Sequence, residues 1–166
     1  KLQLELDLDP EERSVSGTAT LTVQRLFEGP LVLDQIALDI RSVQVGNAEG
    51  QWWTQGNKLF IEVEGDQAEV AVTYSAQPRT GLHFREGRRG GPDAYSEMWT
   101  QGQGEDHRHW FPSWDHPNER FLYEGSFTVP DGWWVHTNSG YELPNYLIMV
   151  AAGKHVEIRH PDDERF

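Results

Sequence analysis

Leu2, Leu4, Leu6 and Leu8 alternate with Gln3, Glu5 and Asp7, a period of two that predicts a half-buried β-strand. Asp9-Pro10-Glu11-Glu12 turns the chain, and Gly17, Ala19, Leu21 and Val23 alternate with three threonines in a second strand that pairs with the first as a hairpin. The rhythm continues through Leu31 to Asp34, Leu38 to Val45, Trp52-Trp53, Leu59 to Val63 and Ala68 to Tyr74, punctuated by Gly46-Asn47 and Gly56-Asn57. Further on, Phe121 to Val129 and Trp133 to Thr137 read as strands joined by Pro130-Asp131-Gly132, and Leu143 to Val150 and Ala151 to Ile158 close the pattern before an acidic tail. No useful window shows a helical period. Short strands at near-regular spacing predict one all-β domain over residues 1–166, built from two or more antiparallel sheets.

One stretch breaks this rhythm. Trp99 to Pro117 mixes aromatic rings with amides, carboxylates, three histidines and an arginine, a combination costly to bury unless every polar group finds a partner. If Glu97 to Gln103 is a strand, then Glu97, Trp99, Gln101 and Gln103 share a face and two amides point the same way. Gly102 and Gly104 leave room there for another backbone or a ligand. Arg108 has Glu105, Asp106 and Asp115 within reach and reads as a structural ion pair, because guanidinium groups fork onto carboxylates where irregular backbone needs fixing. Asp115 is placed to cap the turn before Pro117 through its own local backbone. His107 and His109 would share a strand face, and with Asp115 or His116 could make a nitrogen and oxygen metal site, although surface or core-edge histidines are the more ordinary reading.

Composition narrows the function. The 166 residues carry a formal net charge of −13, which opposes nucleic-acid binding because phosphate contacts need a basic footprint. Arg79, Arg85, Arg88 and Arg89 form the one basic cluster and fall in or beside a Gly-rich loop, Glu86 to Asp93, where solvation is the simplest role. Without cysteine there is neither a disulfide framework nor a thiolate metal site, and localisation stays open between secreted, periplasmic and cytoplasmic. No apolar run is long enough to span a bilayer, and the chain opens on Lys1 rather than Met, as expected of a trimmed chain or a mature protein whose signal peptide is gone.

Thr100-Gln101-Gly102-Gln103, then Arg108, then Phe111-Pro112-Ser113-Trp114-Asp115-His116-Pro117 resembles the signature of the amino-terminal domain of M1-family zinc aminopeptidases. Those enzymes commonly read Thr-Gln, a polar spacer, Arg, and Phe-Pro-Cys-Trp-Asp-Glu-Pro, so Ser113 and His116 depart from the pattern. The opening hairpin, Val72 to Ser75 followed by Gly81-Leu82-His83-Phe84, and Glu124 to Pro130 resemble the family in the same order. Between Asn138 and Leu143 the chain is shorter than the family pattern, as if residues were deleted or missing.

The resemblance implies a saddle-like all-β domain that packs against a separate catalytic domain. It implies that Gln103 binds the free α-amine of a peptide substrate and that Gln101 lies near the pocket for the first side chain, while Arg108, Phe111, Pro112, Trp114, Asp115 and Pro117 form the structural motif. The family holds zinc through His-Glu-x-x-His and a distant Glu on a helical domain, and presents a Gly-x-Met-Glu-Asn loop; neither motif occurs here. His155 and His160, with Glu157 between, do not reproduce the one-face helical spacing. This chain is therefore expected to hold no cofactor and to hydrolyse nothing alone, with zinc residing in the missing catalytic domain. Two other classes compete. Trp52, Trp53, Trp133 and Trp134 could form a stacking platform for carbohydrate, or fill core and interdomain surface with one ring on each side of the strand. A pure protein-interaction domain is the third.

Overall fold

The computed structural model describes residues 1–85 and 96–154. The Gly-rich loop expected at Glu86 to Asp93, with Arg88 and Arg89, and the tail with His155, Glu157 and His160 lie outside the described residues.

The strands are β1 (Leu2–Asp9), β2 (Ser14–Gln24), β3 (Leu31–Asp34), β4 (Asp39–Val45), β5 (Ala48–Glu49), β6 (Trp52–Gln55), β7 (Lys58–Ile61), β8 (Gln67–Ala76), β9 (Leu82–Arg85), β10 (Glu97–Thr100), β11 (Phe121–Thr128), β12 (Trp134–Thr137), β13 (Glu142–Leu143) and β14 (Val150–Gly153). The all-β, multi-sheet reading holds. A seven-stranded sheet runs β13-β11-β1-β2-β8-β4-β5, a four-stranded sheet runs β12-β14-β10-β9, and a three-stranded sheet runs β3-β7-β6.

The period-two pattern determines which way each strand faces. Leu2, Leu4, Leu6 and Leu8 are buried to 3% exposure or less, and β2 lies antiparallel with Ala19 opposite Leu4 and Leu21 opposite Leu2. β8 continues the sheet and adds Val70, Val72 and Tyr74 to the same core. Fully burying a Leu or Val side chain contributes roughly 1.5–3 kcal/mol, so this one face supplies much of the driving force for folding.

Three features differ from simple hairpin expectations. β1 pairs with β11 in parallel, Leu2 facing Tyr123 and Leu6 facing Phe127, the one parallel pairing among the described strands. Parallel neighbours need a long crossover and leave no local turn signal, so alternation alone did not reveal it. The Pro130-Asp131-Gly132 turn forms, with the Trp133 amide donating to the Pro130 carbonyl, but β12 then leaves β11 and joins β14 in the four-stranded sheet. Pro144-Asn145-Tyr146-Leu147, expected inside a strand, is instead a one-turn 3-10 helix over Asn145–Leu147 between β13 and β14.

The tryptophan pairs split by side. Trp52 and Trp133 pack on the core, whereas Trp53 and Trp134 are 41% and 54% exposed. Trp53 stacks on its cross-strand neighbour Phe60 with ring centroids 5.1 Å apart. Arg85 pairs with Glu97 across the β9–β10 ladder at 3.0 Å, so it is not merely a solvated loop residue. No helix among the described residues is long and apolar enough to cross a membrane.

Gly17 marks the tightest approach in the large sheet. Its φ is +143°, and a Cβ there would lie 2.2 Å from the Glu5 carbonyl oxygen. Gly17→Ala is expected to destabilise the domain by about 2–4 kcal/mol, from backbone strain plus displacement of β1. Urea unfolding checks this; a loss below about 0.5 kcal/mol would show that the strand pair tolerates the methyl.

Candidate functional site

The expected strand over Glu97 to Gln103 stops at Thr100, because Thr100 turns its side chain to the neighbouring strap of chain. Its Oγ1 accepts from the Val150 amide at 3.0 Å and donates toward the Ile148 and Val150 carbonyls at 3.2 and 3.4 Å. The Gln101 amide makes one further tie to the Gly81 carbonyl, 2.9 Å. Gly104 and Glu105, at φ +91° and +71°, then bend the chain into a 3-10 turn over His107–His109.

The shared face nevertheless survives. Met98 and Gly102 are buried, and Trp99, Gln101 and Gln103 are exposed, so alternation carries past the end of the ladder. The two glutamines flank an inward-facing glycine and present their amides together to solvent. Neither side-chain amide has a hydrogen-bond partner among the described residues.

Beneath them lies His107, fully buried rather than on a strand face with His109, which is half-buried. The Trp110 indole N–H donates to His107 Nδ1 at 2.8 Å, which leaves Nε2 to carry the proton and donate to the Ile148 carbonyl at 3.2 Å. Both ring nitrogens of His107 are thus engaged, so that ring is not free to bind a metal, and half-buried His109 does not share a strand face with it. Among the described residues no group of three His, Cys, Asp or Glu side chains is placed to hold a metal. Burial pushes the imidazole down from 6.5 to about 4, against the partial opposition of Asp115, the Ile148 carbonyl and Asp106.

Arg108 behaves as the ion pair expected, with one partner more than the local sequence suggested. Its Nε and its backbone N–H both donate to Asp115 Oδ2 at 3.0 Å, Nη2 reaches Glu105 Oε2 at 2.7 Å and the Asp115 carbonyl at 2.9 Å, and Nη1 lies 3.3 Å from Asp34 Oδ1. Burial pulls the guanidinium down, but Asp115, Asp34 and Glu105 outweigh it and hold it above its ordinary value. Asp34 also pairs with Lys58 and accepts from the Asp115 amide at 3.2 Å.

Asp115 does not cap its own turn. Its second oxygen accepts from Asn145 Nδ2 at 2.6 Å, so both oxygens are committed elsewhere, and the turn is tied instead by the Asn118 amide donating to His116 Nδ1 at 3.3 Å. Ser113, the departure from the family cysteine, accepts from Asn145 Nδ2 at 3.0 Å and forms a two-bond bridge with Asp34 through backbone. Trp110, Phe111 and Pro112 are buried, the first two in an edge-to-face pair 4.5 Å apart, while Trp114 and Pro117 are exposed. Sequence reasoning missed Asp34 and Asn145. An aspartate ending Leu31-Val32-Leu33 and an asparagine after Pro144 carry no local mark of a distant partner.

Residues 1–138 match the family described as the Peptidase M1 N-terminal domain. The chain belongs to the M1 peptidase family. As an M1 amino-terminal domain it is 28% identical, over 180 aligned positions, to leucine aminopeptidase 2-1 of Meyerozyma guilliermondii, covering 92% of this chain and 29% of that protein. Its fold is similar to that of leukotriene A4 hydrolase from Saccharomyces cerevisiae, with a TM-score of 0.79 at 20% identity, covering 92% of this chain and 28% of the other. It is also similar to an M1 zinc metallopeptidase from Deinococcus radiodurans solved with a Tyr-Ser-Ala substrate, with a TM-score of 0.73 at 20% identity and coverage of 92% and 41%. The M1 domain described here thus spans well under half the length of these relatives.

Two outcomes are expected from the site's electrostatics. The unfolded chain takes up a proton on His107 near pH 6.5 and the folded chain only near 4, so this contribution to stability is complete above 6.5 and declines by about 3 kcal/mol as pH falls to 4. Unfolding free energies at pH 7 and 4.5 should therefore fall less in His107→Gln than in the wild type; equal slopes would show that the buried ring does not titrate. Separately, Arg108→Ala leaves Asp115 buried without its counter-charge and should cost about 3–5 kcal/mol in a thermal or urea melt, where a surface ion pair would give under about 1.

Proposed function

We propose that this M1 domain anchors the amino end of peptide substrates for an aminopeptidase whose zinc centre lies in a separate catalytic domain. The observation that carries this reading is the pair of solvent-facing, unpartnered amides of Gln101 and Gln103 on either side of the buried Gly102. An amide oxygen accepts from an ammonium group, and an acceptor that becomes enclosed when a second domain covers it discriminates against substrates lacking that donor. Gln103 accepts from the substrate α-amine, and Gln101 flanks the first side chain. Fixing that amine sets which peptide bond is presented, which is how an anchoring domain contributes to an exopeptidase without touching the scissile bond.

In this reading hydrolysis belongs to the catalytic domain, where zinc would supply Lewis-acid chemistry when bound. The chain's own part is binding and orientation, and its partners are that domain and the peptide amino terminus. Glycan binding is the competing reading. It is weakened because the exposed rings of Trp53 and Trp134 sit on different sheets instead of forming one platform.

Gln103→Ala in the full-length enzyme should raise KM and lower kcat/KM by about 1–3 kcal/mol, roughly 5- to 150-fold, with the melting curve little changed. Unchanged kinetics would remove Gln103 from the site. Reading the encoding frame past Phe166 provides the complementary check: a continuation with Gly-x-Met-Glu-Asn and His-Glu-x-x-His supports the reading, and a stop codon soon after Phe166 overturns it.

A further inference from the structure

The geometry points to His107 as a positioning residue for the glutamine pair, acting through Gly102; this rests on the anchoring role proposed above. The first observation is a contact. A Cβ built on Gly102 would lie 2.2 Å from His107 Nε2, 2.5 Å from Cε1 and 2.6 Å from Cδ2, so the Gly102 backbone lies directly on the imidazole with no room for a side chain between them. Gly102 is not among the glycines of positive φ, so steric space and not backbone conformation is what calls for glycine here.

The second observation is that the ring cannot swing away. Trp110 donates to one nitrogen and the Ile148 carbonyl accepts from the other, while Phe111 and Trp110 pack on its faces and edges with centroids 5.4 and 5.5 Å away. The third is that the Ile148 carbonyl is shared. Thr100 Oγ1 also reaches it at 3.2 Å, so the residue before Gln101 and the ring behind Gly102 are pinned to the same oxygen. The short run Thr100 to Gly102 is thereby held at two points on one strap, and the flanking amides inherit their direction from it. A displacement of the ring moves Gly102 and therefore both amides. Misplacement of a positioning group by about 1 Å costs as much as a hundred-fold in rate, so small shifts here have large consequences.

The test is a double-mutant cycle in the full-length enzyme with an aminoacyl substrate bearing a free α-amine. Gly102→Ala pushes the ring aside, and His107→Ala opens a void beneath Gly102; each should raise KM roughly ten-fold while kcat changes less. In the double variant the alanine methyl enters the volume the ring has left, so KM should return most of the way toward wild type, a non-additivity that a merely structural histidine would not produce in KM. If His107→Ala does not fold, His107→Gln, which keeps a donor and an acceptor but loses ring volume, replaces it and should show an intermediate KM.

Additive KM effects, or coupling that appears in unfolding free energy but not in KM, would overturn the proposal and leave His107 a packing residue. Gln103→Ala keeps the two readings apart. If it shifts KM and Gly102→Ala does not, only the positioning role falls; if Gln103→Ala has no effect, the anchoring role falls and the positioning role with it.

Discussion

The Arg108 guanidinium joins parts of the fold that share no sheet. It draws Asp34 at the end of β3, Glu105 in the turn after the glutamines, and Asp115 in the Phe-Pro-Ser-Trp-Asp segment onto one planar cation, and Asp115 passes the connection to Asn145 near the start of β14. Irregular backbone has no ladder to set its path, so its geometry must come from side chains that bridge to fixed elements. An arginine serves better than a lysine because its rigid fork satisfies several acceptors at defined angles. Removing water from such a cluster is costly, and the cost is tolerable only because nearly every lone pair and proton in it is matched. One buried acceptor, Asn145 Oδ1, has no partner among the described residues.

The Arg108 ion pairs tie residues 105 to 115 to the end of β3, the buried His107 ring lies against Gly102, and the two glutamines face solvent.

How much of this was legible in the sequence depended on range. Leu2 to Leu8 and Gly17 to Val23 disclosed their strand, their buried face and their hairpin, because alternation is a local property and a hairpin joins consecutive strands. That Gln101 and Gln103 share a face followed from the same alternation, even though the ladder ends at Thr100; that the face looks to solvent came from the structure. Arg108 with Asp115 was readable from spacing. Asp34, bonded to Asp115 across 81 residues, was not, and neither was the burial of His107, whose acceptor Ile148 lies 41 residues away. The family resemblance supplied roles for the glutamines that residue type alone leaves open, since an exposed amide pair has many possible uses.

The parallel pairing of β1 with β11 bears on how the chain is made. As synthesis proceeds, β1 finds β2 within a few residues, but its other edge waits for Phe121–Thr128, and until then an apolar strand offers a free row of backbone donors and acceptors. Closing so long a loop is slow, and an unsatisfied edge flanked by Leu2, Leu4, Leu6 and Leu8 invites pairing with another copy. The acidic balance of the chain, −13 over its full 166 residues and already negative before Phe121 is made, opposes that encounter by charge repulsion during the interval when shape cannot.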